Sequence, residues 1–244
     1  MTSLIVVPTY NERDNVQDIA AKFLAALPGC ELLFVDDNSP DGTGQLLDGM
    51  ATSEPRIHVM HRAGKLGLGT AVVEGFAAAS AQIVGVIDAD LSHPPGLVPR
   101  MLDVMREQGA DLVIGSRYVP GGGTRNWEMS RVLMSKFACV LARGLTPVRD
   151  ATSGFFLMHR DRARGVTISA GGFKICLELL IRSEPKLVVE VPYVFTGRTV
   201  GESKMNWKEA AGYLRQLRDL HAYRRTRRLP RPDHRIEPAV PRPE

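Results

Sequence analysis

Two aspartates separated by a single residue are the strongest candidates for chemistry in this 244-residue chain. Asp88 and Asp90 follow the apolar run Ile83–Ile87, which has the length of a buried strand. Two carboxylates so close together, completed by the phosphate oxygens of a substrate, make the all-oxygen shell that Mg²⁺ or Mn²⁺ prefers. A metal in that place would neutralise a leaving diphosphate. An Asp-x-Asp pair is also common in exposed turns, so its surroundings decide its weight.

Other apolar runs also end in polar segments. Leu4–Val7, Leu32–Val35 and Leu112–Ile114 have strand length, and helical patterns such as Val16–Leu27 lie between the runs. Strands that alternate with helices predict an α/β fold with a mostly parallel sheet and helices on both faces. Ligands bind beyond the carboxyl ends of such strands. The polar segments found there are Pro8-Thr9-Tyr10-Asn11-Glu12, Asp36-Asp37-Asn38-Ser39-Pro40-Asp41-Gly42 and Gly115-Ser116-Arg117-Tyr118.

Several common nucleotide-binding and hydrolytic motifs are absent from the sequence. There is no G-x-x-x-x-G-K-S/T phosphate-binding loop, and both Gly42-x-Gly44 and Gly67-x-Gly69 lack the third glycine of a dinucleotide-binding fingerprint. A G-x-S-x-G elbow and an H-E-x-x-H pair are missing as well. The polar edge of the predicted sheet is therefore acidic and suited to a metal rather than lined with glycines.

Length and composition fit one globular domain with extensions, because 44% of the residues are hydrophobic and 24% are charged. The three cysteines, Cys30, Cys139 and Cys176, are far apart and odd in number, which argues against disulfides or a zinc site. The amino terminus does not resemble a signal peptide, and no run approaches the roughly 18 apolar residues of a spanning helix. We therefore expect a cytoplasmic protein.

Most of the positive charge lies near the carboxyl end. Residues 204–244 contain 11 lysines and arginines against 5 acidic residues, whereas the rest of the chain is slightly acidic. Basic segments attract nucleic acid or anionic membranes, although a solvated helix face explains the same pattern. Only Tyr213 and Tyr223 interleave with these arginines, so we discount nucleic acid as a partner.

Two segments have the pattern of basic amphipathic helices. The first is Met129–Leu145, and the second runs from about Trp207 to Tyr223 and ends in Arg224, Arg225, Arg227 and Arg228. Each either packs its apolar stripe on the sheet or lies on lipid headgroups, and the pattern alone leaves both open. The last stretch, Pro230–Glu244, has five prolines in 15 residues, so we expect it to form neither helix nor sheet and to be disordered.

The polar segments, taken in order, resemble the signature blocks of the inverting family 2 glycosyltransferases. These blocks are Val7-Pro8-Thr9-Tyr10-Asn11-Glu12, Val35-Asp36-Asp37-Asn38-Ser39-Pro40-Asp41-Gly42-Thr43, Asp88-Ala89-Asp90-Leu91-Ser92-His93-Pro94 and Gly115-Ser116-Arg117-Tyr118. Three later blocks are similar to those of the dolichyl-phosphate mannose synthases: Ser153-Gly154-Phe155, Gly172-Phe173-Lys174-Ile175 and Arg198-x-x-Gly201-Glu202-Ser203-Lys204. The resemblance implies a Rossmann-like GT-A fold over residues 1–204. The residue patterns add a basic amphipathic helical extension over 205–229 and the proline-rich tail over 230–244.

The resemblance also implies roles for individual residues. The sugar nucleotide would be bound by Pro8, Tyr10, Glu12, Val35, Asp37, Asp88, Ala89, Asp90, Lys174, Arg198, Ser203 and Lys204. Mg²⁺ or Mn²⁺ would be held by Asp88, Asp90 and Ser92, and the acceptor phosphate by Arg117, Arg131 and Ser135. Catalysis would depend on Asp90, Arg117, Arg131 and Arg198. Arg131 and Ser135 are four residues apart, so they share one helix face and can bind a single anion together.

The expected reaction is transfer of mannose from GDP-mannose to dolichyl phosphate or another polyprenyl phosphate. A phosphate monoester has a second pKa of about 6, so the nucleophile is already ionised at neutral pH and needs no general base. Catalysis then reduces to alignment and to electrostatic stabilisation of the departing diphosphate. A single in-line displacement would invert the anomeric centre.

Two features depart from the family pattern. Close relatives often have Gln where this chain has Ser92, whose hydroxyl is a shorter and weaker metal ligand. Many relatives carry transmembrane helices, so we expect this chain to reach the cytosolic face of a membrane through its amphipathic helices, a separate membrane-protein partner or both. The alternative donor is a UDP-sugar carrying glucose or an amino sugar, because the sheet-edge blocks are shared. A non-catalytic sugar-nucleotide sensor is disfavoured, since it needs no clamp for an acceptor phosphate.

Overall fold

The computed structural model describes residues 2–168, 174–197 and 207–239. Its strands are β1 (Ser3–Thr9), β2 (Cys30–Asp36), β3 (Ile57–His61), β4 (Ile83–Val86), β5 (Leu112–Ser116), β6 (Gly123–Arg125), β7 (Phe156–His159), β8 (Leu187–Pro192), β9 (Val194–Thr196) and β10 (Asp233–Ile236). Its helices are α1 (Val16–Ala26), α2 (Thr43–Ser53), α3 (Leu68–Ala78), α4 (Val98–Gln108), α5 (Met129–Ala142), α6 (Arg160–Ala163), α7 (Ile175–Arg182) and α8 (Trp207–Arg227).

Eight strands form the main sheet in the order β10-β8-β5-β7-β4-β1-β2-β3. Neighbouring strands are parallel except at β7, which runs antiparallel to both β4 and β5. Strands β6 and β9 form a separate parallel pair. The prediction of a mostly parallel sheet is confirmed, and the reversed strand β7 is the feature that the sequence pattern did not indicate.

Successive side chains of β1 enter two different cores. Leu4 and Val6 pack on one face of the sheet with α3, α7 and α8. Ile5 and Val7 pack on the other face with α1, α2 and α4. This separation follows from the two-residue period of a strand. Helices therefore cover both faces, as predicted.

The carboxyl-terminal segment corrects the prediction of a disordered tail. Strand β10 pairs in parallel with β8 at the edge of the main sheet. Residues 233–237 contain no proline, so every backbone N–H is available, and the N–H of Glu237 donates to the carbonyl of Glu190 at 2.8 Å. The prediction that residues 230–244 form no sheet is wrong for this reason; residues 240–244 lie outside the described residues.

Helix α8 starts where the sequence pattern places it and extends to Arg227. It is anchored to the core by Tyr213, Leu217 and Leu220, which are all buried. Of the helices in the described ranges, none has both the length and the apolar character needed to cross a bilayer.

We predict that a glycine in the centre of the sheet cannot be replaced by alanine without loss of stability. A Cβ on Gly85 of β4 would lie 2.6 Å from Ile5 Cδ1 and also overlap Leu157. Gly85→Ala should lower the free energy of unfolding by about 1–3 kcal/mol, because a dense core does not accept an extra methyl group. The matched control is Gly49→Ala on α2, where open space surrounds the new methyl. Urea denaturation should show the control unchanged or stabilised, and an unchanged Gly85→Ala would contradict this packing.

Candidate active site

Tight reversals follow the strands at the carboxyl edge of the sheet. Asn11 follows β1, Asn38 follows β2 and Leu91 lies beyond β4, with φ angles of 58°, 58° and 59°. Asparagine tolerates this left-handed conformation, whereas leucine adopts it at a cost in strain. Such strain persists where the surrounding structure enforces it, often at functional sites. It singles out the loop between Asp90 and Ser92.

Three predicted nucleotide contacts lie deep in this edge. Pro8 and Val35 are opposite each other near the ends of β1 and β2. Val35 is fully buried and belongs to the core, and Ala89 is also buried. Pro8 is partly buried, and contact of the three residues with a nucleotide stays a prediction.

Asp37 is held by the protein itself. It is buried and forms an ion pair with Arg62. Its other carboxylate oxygen accepts the N–H groups of Leu66 and Gly67 at 3.1 and 3.0 Å. Asp37 therefore anchors the loop of residues 62–67 beside the site, and a direct role in binding the nucleotide stays a prediction.

Tyr10 and Glu12 line the same side of the edge. The Nδ2 of Asn15 donates to Glu12 Oε2 at 2.7 Å, which orients the carboxylate. The Nζ of Lys65 lies 4.0 Å from the centroid of the Tyr10 ring, a cation–π contact. Lys65 belongs to the loop that Asp37 anchors, and sequence reasoning missed it because no motif marks it.

Asp88 and Asp90 leave β4 at the predicted edge. The N–H of Ser92 donates to Asp90 Oδ1 at 3.0 Å and so closes the loop. The Ser92 Oγ is buried and has no hydrogen-bond partner among the residues that the structure describes. A Cβ on Gly154 would lie 3.5 Å from both carboxylate oxygens of Asp88, so this glycine leaves open the space beside them.

These residues fit a hard divalent cation. Two carboxylates and the Ser92 hydroxyl offer oxygen ligands. Within the described ranges, no group of three His, Cys, Asp or Glu side chains forms a closed protein cage. Further positions around a cation would then go to water and to diphosphate oxygens, which is how proteins usually bind Mg²⁺.

His93 packs against the loop of residues 88–92, which we call the metal loop because it carries the three candidate metal ligands. Its Nδ1 accepts the N–H of Asp88 at 3.1 Å, and its ring stacks on Phe155 with a centroid distance of 5.1 Å. Burial lowers the pKa of His93, so the imidazole is neutral at pH 7 and carries its proton on Nε2. The sequence block contains His93, but no role for it was predicted.

Arg117 is fixed by a partner that sequence reasoning did not identify. Its Nε and Nη2 donate to the two carboxylate oxygens of Asp150, each at 2.7 Å, and its backbone N–H donates to the same group at 2.9 Å. Burial disfavours the charge of Arg117, but the hydrogen bonds and charge of Asp150 outweigh it and raise the pKa of Arg117 above its usual value. The guanidinium therefore stays charged at any physiological pH.

Trp127 joins the two arginines that were predicted to bind the acceptor phosphate. The guanidinium carbon of Arg131 lies 4.3 Å from the Trp127 ring centroid, and that of Arg117 lies 5.4 Å from it. Phe195 contacts both Trp127 and His93, with centroid distances of 4.9 and 5.6 Å. The arginine pair and the metal loop are thus two halves of one site. Neither Trp127 nor Phe195 was predicted.

The remaining predicted residues fall in two groups. Ser135 is half-buried one turn after Arg131, on the side of α5 near Tyr118. Burial lowers the pKa of Lys174, and the positive charge of Arg117 lowers it further. Outside the described residues lie Arg198, Ser203 and Lys204.

The sequence matches a family of known enzymes. The pattern of "Glycosyl transferase family 2" covers residues 4–166. The chain belongs to glycosyl transferase family 2. The polyprenol monophosphomannose synthase of Mycolicibacterium smegmatis is 42% identical to it over 215 residues, which are 84% of this chain and 81% of that protein.

Two further relatives bear similar names. The dolichol-phosphate mannosyltransferase of Saccharomyces cerevisiae is 35% identical over 234 residues, covering 90% of this chain and 87% of the yeast protein. That of Pyrococcus furiosus is 39% identical over 219 residues, and the match spans 87% of this chain but only 62% of the Pyrococcus protein.

Solved structures of glycosyltransferases share the fold. The glucosyl-3-phosphoglycerate synthase of Mycobacterium tuberculosis, solved with Mn²⁺ and UDP, superposes with a TM-score of 0.64 at 21% identity over 91% of this chain and 79% of that one. A mannosyltransferase of Pyrobaculum calidifontis, solved with GDP-Man and Mn²⁺, gives 0.63 at 17% identity over 91% of this chain and 64% of that one. The predicted GT-A fold is confirmed.

Asp90→Asn should remove the effect of metal on nucleotide binding, because an amide is a weaker ligand than a carboxylate. In calorimetry, Mn²⁺ should no longer strengthen the binding of a nucleoside diphosphate. Glycosyl transfer should fall by more than about a hundredfold, since a direct ligand matters more than an outer-shell partner. Asp103→Asn, on the exposed face of α4, is the matched control. A metal response equal to that of the wild type in Asp90→Asn would place the cation elsewhere.

Proposed function

We propose that this enzyme transfers mannose from GDP-mannose to the phosphate of a dolichol or other polyprenol, with inversion, at the cytosolic face of a membrane. The observation that carries the proposal is that one sheet edge combines the 88–92 loop with the arginine pair on Trp127, and that helix α5, which carries Arg131, exposes an apolar stripe. Relatives named dolichol-phosphate mannosyltransferase and polyprenol monophosphomannose synthase support both substrate classes.

The donor half binds and orients the sugar nucleotide. Asp88, Asp90 and Ser92 would hold Mg²⁺ or Mn²⁺, which when bound neutralises charge on the leaving diphosphate. Lys174, whose pKa is lowered by burial and by the charge of Arg117, would add positive charge on the protein side of that diphosphate. The same role is proposed for Arg198, Ser203 and Lys204.

The acceptor half would present the nucleophile. Arg117 is locked by Asp150, and Arg131 rests on Trp127, so both guanidinium groups have defined positions before a ligand arrives. A phosphate monoester is already ionised at neutral pH, so an oxygen of the acceptor can attack the anomeric carbon without a general base. The protein then contributes alignment and charge stabilisation.

Helix α5 provides the proposed contact with the membrane. Met129, Leu133, Phe137 and Val140 are 71%, 59%, 64% and 49% exposed, and their spacing of four, four and three residues places them on one stripe. The opposite side of the helix faces the core through Cys139 and Ala142. A stripe of this kind buries its side chains at the boundary of headgroups and acyl chains. Arg131, on the same helix, would then lie at the level of the acceptor phosphate.

Two of the arginines at the end of α8 are held by groups of the protein itself. Arg224 donates to the carbonyls of Leu145 and Leu229, and Arg227 lies 3.7 Å from Glu184. Glu184 precedes β8, so this cluster is at the amino edge of the sheet, away from the metal loop. The membrane hypothesis for this second helix is therefore carried by charge alone, and α5 is the stronger candidate.

Donor choice can be tested directly. The protein with Mn²⁺ and a short polyprenyl phosphate should form a lipid-linked sugar from GDP-mannose, and not from UDP-glucose or UDP-N-acetylglucosamine. If product forms from a UDP-sugar and none forms from GDP-mannose, the UDP-sugar is the donor. Absence of product from every sugar nucleotide would contradict the proposed function.

Arg131→Ala should impair use of the acceptor while leaving the donor site intact. A charge-assisted hydrogen bond to phosphate contributes about 1.5–3 kcal/mol, so kcat/KM for polyprenyl phosphate should fall roughly ten- to hundredfold. Calorimetry with GDP and Mn²⁺ should give the affinity of the wild type. Arg143→Ala, at the far end of the same helix, is the control. Equal losses for both substrates would assign Arg131 to the donor side.

Replacing Leu133 and Phe137 together by Ser should weaken binding to vesicles that contain anionic lipid by more than about tenfold, because each apolar side chain contributes to burial in the interface. The control is Leu66→Ser, which changes a side chain of similar exposure in the loop of residues 62–67, away from α5 in the sequence. Co-sedimentation at low salt provides the measurement. If the double variant binds vesicles as strongly as the wild type does, α5 is not the membrane contact. If the wild type itself does not bind vesicles, a membrane-protein partner has to recruit it.

A further inference from the structure

Strand β10 is connected to the candidate active site by a series of hydrogen bonds. Strand β10 runs parallel to β8, so its carboxyl end lies at the same sheet edge as Arg117. On β10, the Nε2 of His234 lies 2.7 Å from Oε2 of Glu190, a fully buried carboxylate on β8. No sequence motif contains either residue.

Glu190 connects this histidine to the turn that carries Asp150. Its Oε2 accepts the N–H of Arg149 at 2.8 Å, and its Oε1 accepts the N–H of Asp150 at 2.9 Å. Asp150 in turn holds both the guanidinium and the backbone N–H of Arg117. A continuous series of hydrogen bonds therefore leads from His234 to the arginine, and no bond in it is longer than 2.9 Å.

Beyond its last residue, β10 is fastened to neighbouring segments. The side chain of Glu237 pairs with Arg100 and accepts Nε2 of Gln108 at 2.6 Å. Ala239 packs on Gly121, where an added Cβ would lie only 2.5 Å from the Ala239 Cβ. Gly121 has a φ of 87° and lies in the loop that follows Arg117. Ala239 thus packs against the loop that follows Arg117 in the acceptor half.

We propose that His234 is a positioning residue for Arg117, and that strand β10 is a structural part of the acceptor site. The inference rests on the proposed function, in which Arg117 binds the acceptor phosphate. Without His234, Glu190 keeps only the two backbone N–H donors of residues 149 and 150, and because a buried charge with fewer donors is costly, its carboxylate shifts toward a new partner. A shift of Glu190 moves the backbone at residues 149–150, and with it the Asp150 carboxylate that holds Arg117.

The donor half should not respond to this change. The metal loop follows β4, and the nucleotide loops follow β1 and β2, on the other side of β7 in the sheet. None of the hydrogen bonds between His234 and Arg117 involves those loops. The inference therefore predicts a defect confined to one substrate.

The experiment measures both substrates for His234→Ala, His234→Gln and the control Arg235→Ala. In His234→Ala, kcat/KM for polyprenyl phosphate should fall about tenfold, as is typical for loss of an outer-shell partner, while the affinity for GDP with Mn²⁺ stays unchanged. His234→Gln retains an N–H donor and should recover to within about threefold of the wild type. Arg235 is exposed and points to the opposite face of the strand, so its variant should match the wild type.

A double-mutant cycle separates positioning from general stability. In the background of Arg117→Lys, which keeps the charge but loses the two-pronged contact with Asp150, His234→Ala should add less than about a twofold further loss. The inference is overturned if the losses caused by the two substitutions are independent and fully additive. It is also overturned if His234→Ala weakens the use of both substrates equally, or if its acceptor kinetics equal those of the wild type. If Arg117→Lys alone leaves acceptor use unchanged, the proposed role of Arg117 is wrong, which is a different failure from additive losses.

Discussion

Arg117 and Asp150 bury opposite charges 2.7 Å apart at the edge where the parallel strands end. Such a pair stabilises a fold weakly, because desolvation offsets the attraction unless further hydrogen bonds satisfy both partners. Here those bonds exist: Asp150 accepts three N–H groups of Arg117, and its own backbone is held by Glu190. The ion pair therefore serves to position Arg117. It fixes a permanent positive charge beside Trp127, and the proposed acceptor half is arranged around that charge.

The antiparallel strand β7 brings the two halves of the site together. It separates β4, which leads to the metal loop, from β5, which leads to Arg117. Because β7 runs backwards, its first residues lie at the edge where its neighbours end. Gly154 therefore lies against Asp88, and the hydroxyl of Ser153 donates to the carbonyl of Gly115 at 2.7 Å. A parallel strand in that place would have put this segment at the opposite edge.

Charge divides the site as the proposed chemistry requires. The imidazole of His93 is neutral and adds no positive charge beside Asp88 and Asp90, so the two carboxylates keep a negative charge that favours binding of a cation. The other half is cationic, because it contains the permanently charged Arg117, whose charge also lowers the pKa of Lys174. Two anionic substrates could thus be held at a short distance from each other, one through a metal and one through guanidinium groups.

The sequence alone was sufficient for local features and for the resemblance. Apolar runs predicted β1, β2, β4 and β5, and the Asp88 pair was correctly placed at a strand end. Helical spacing also predicted α5, although only the structure decided that its apolar stripe faces solvent rather than the sheet.

The tertiary structure decided which residues hold the site residues in place. Asp150 lies 33 positions from Arg117, and His234 lies 44 positions from Glu190, so no local pattern could pair them. The tail shows the same limit. Its prolines predicted disorder, yet the proline-free segment between them, residues 233–237, pairs with β8 because that strand offers a free edge. Periodicity depends on neighbours along the chain, whereas these contacts exist only after the sheet has brought distant segments together.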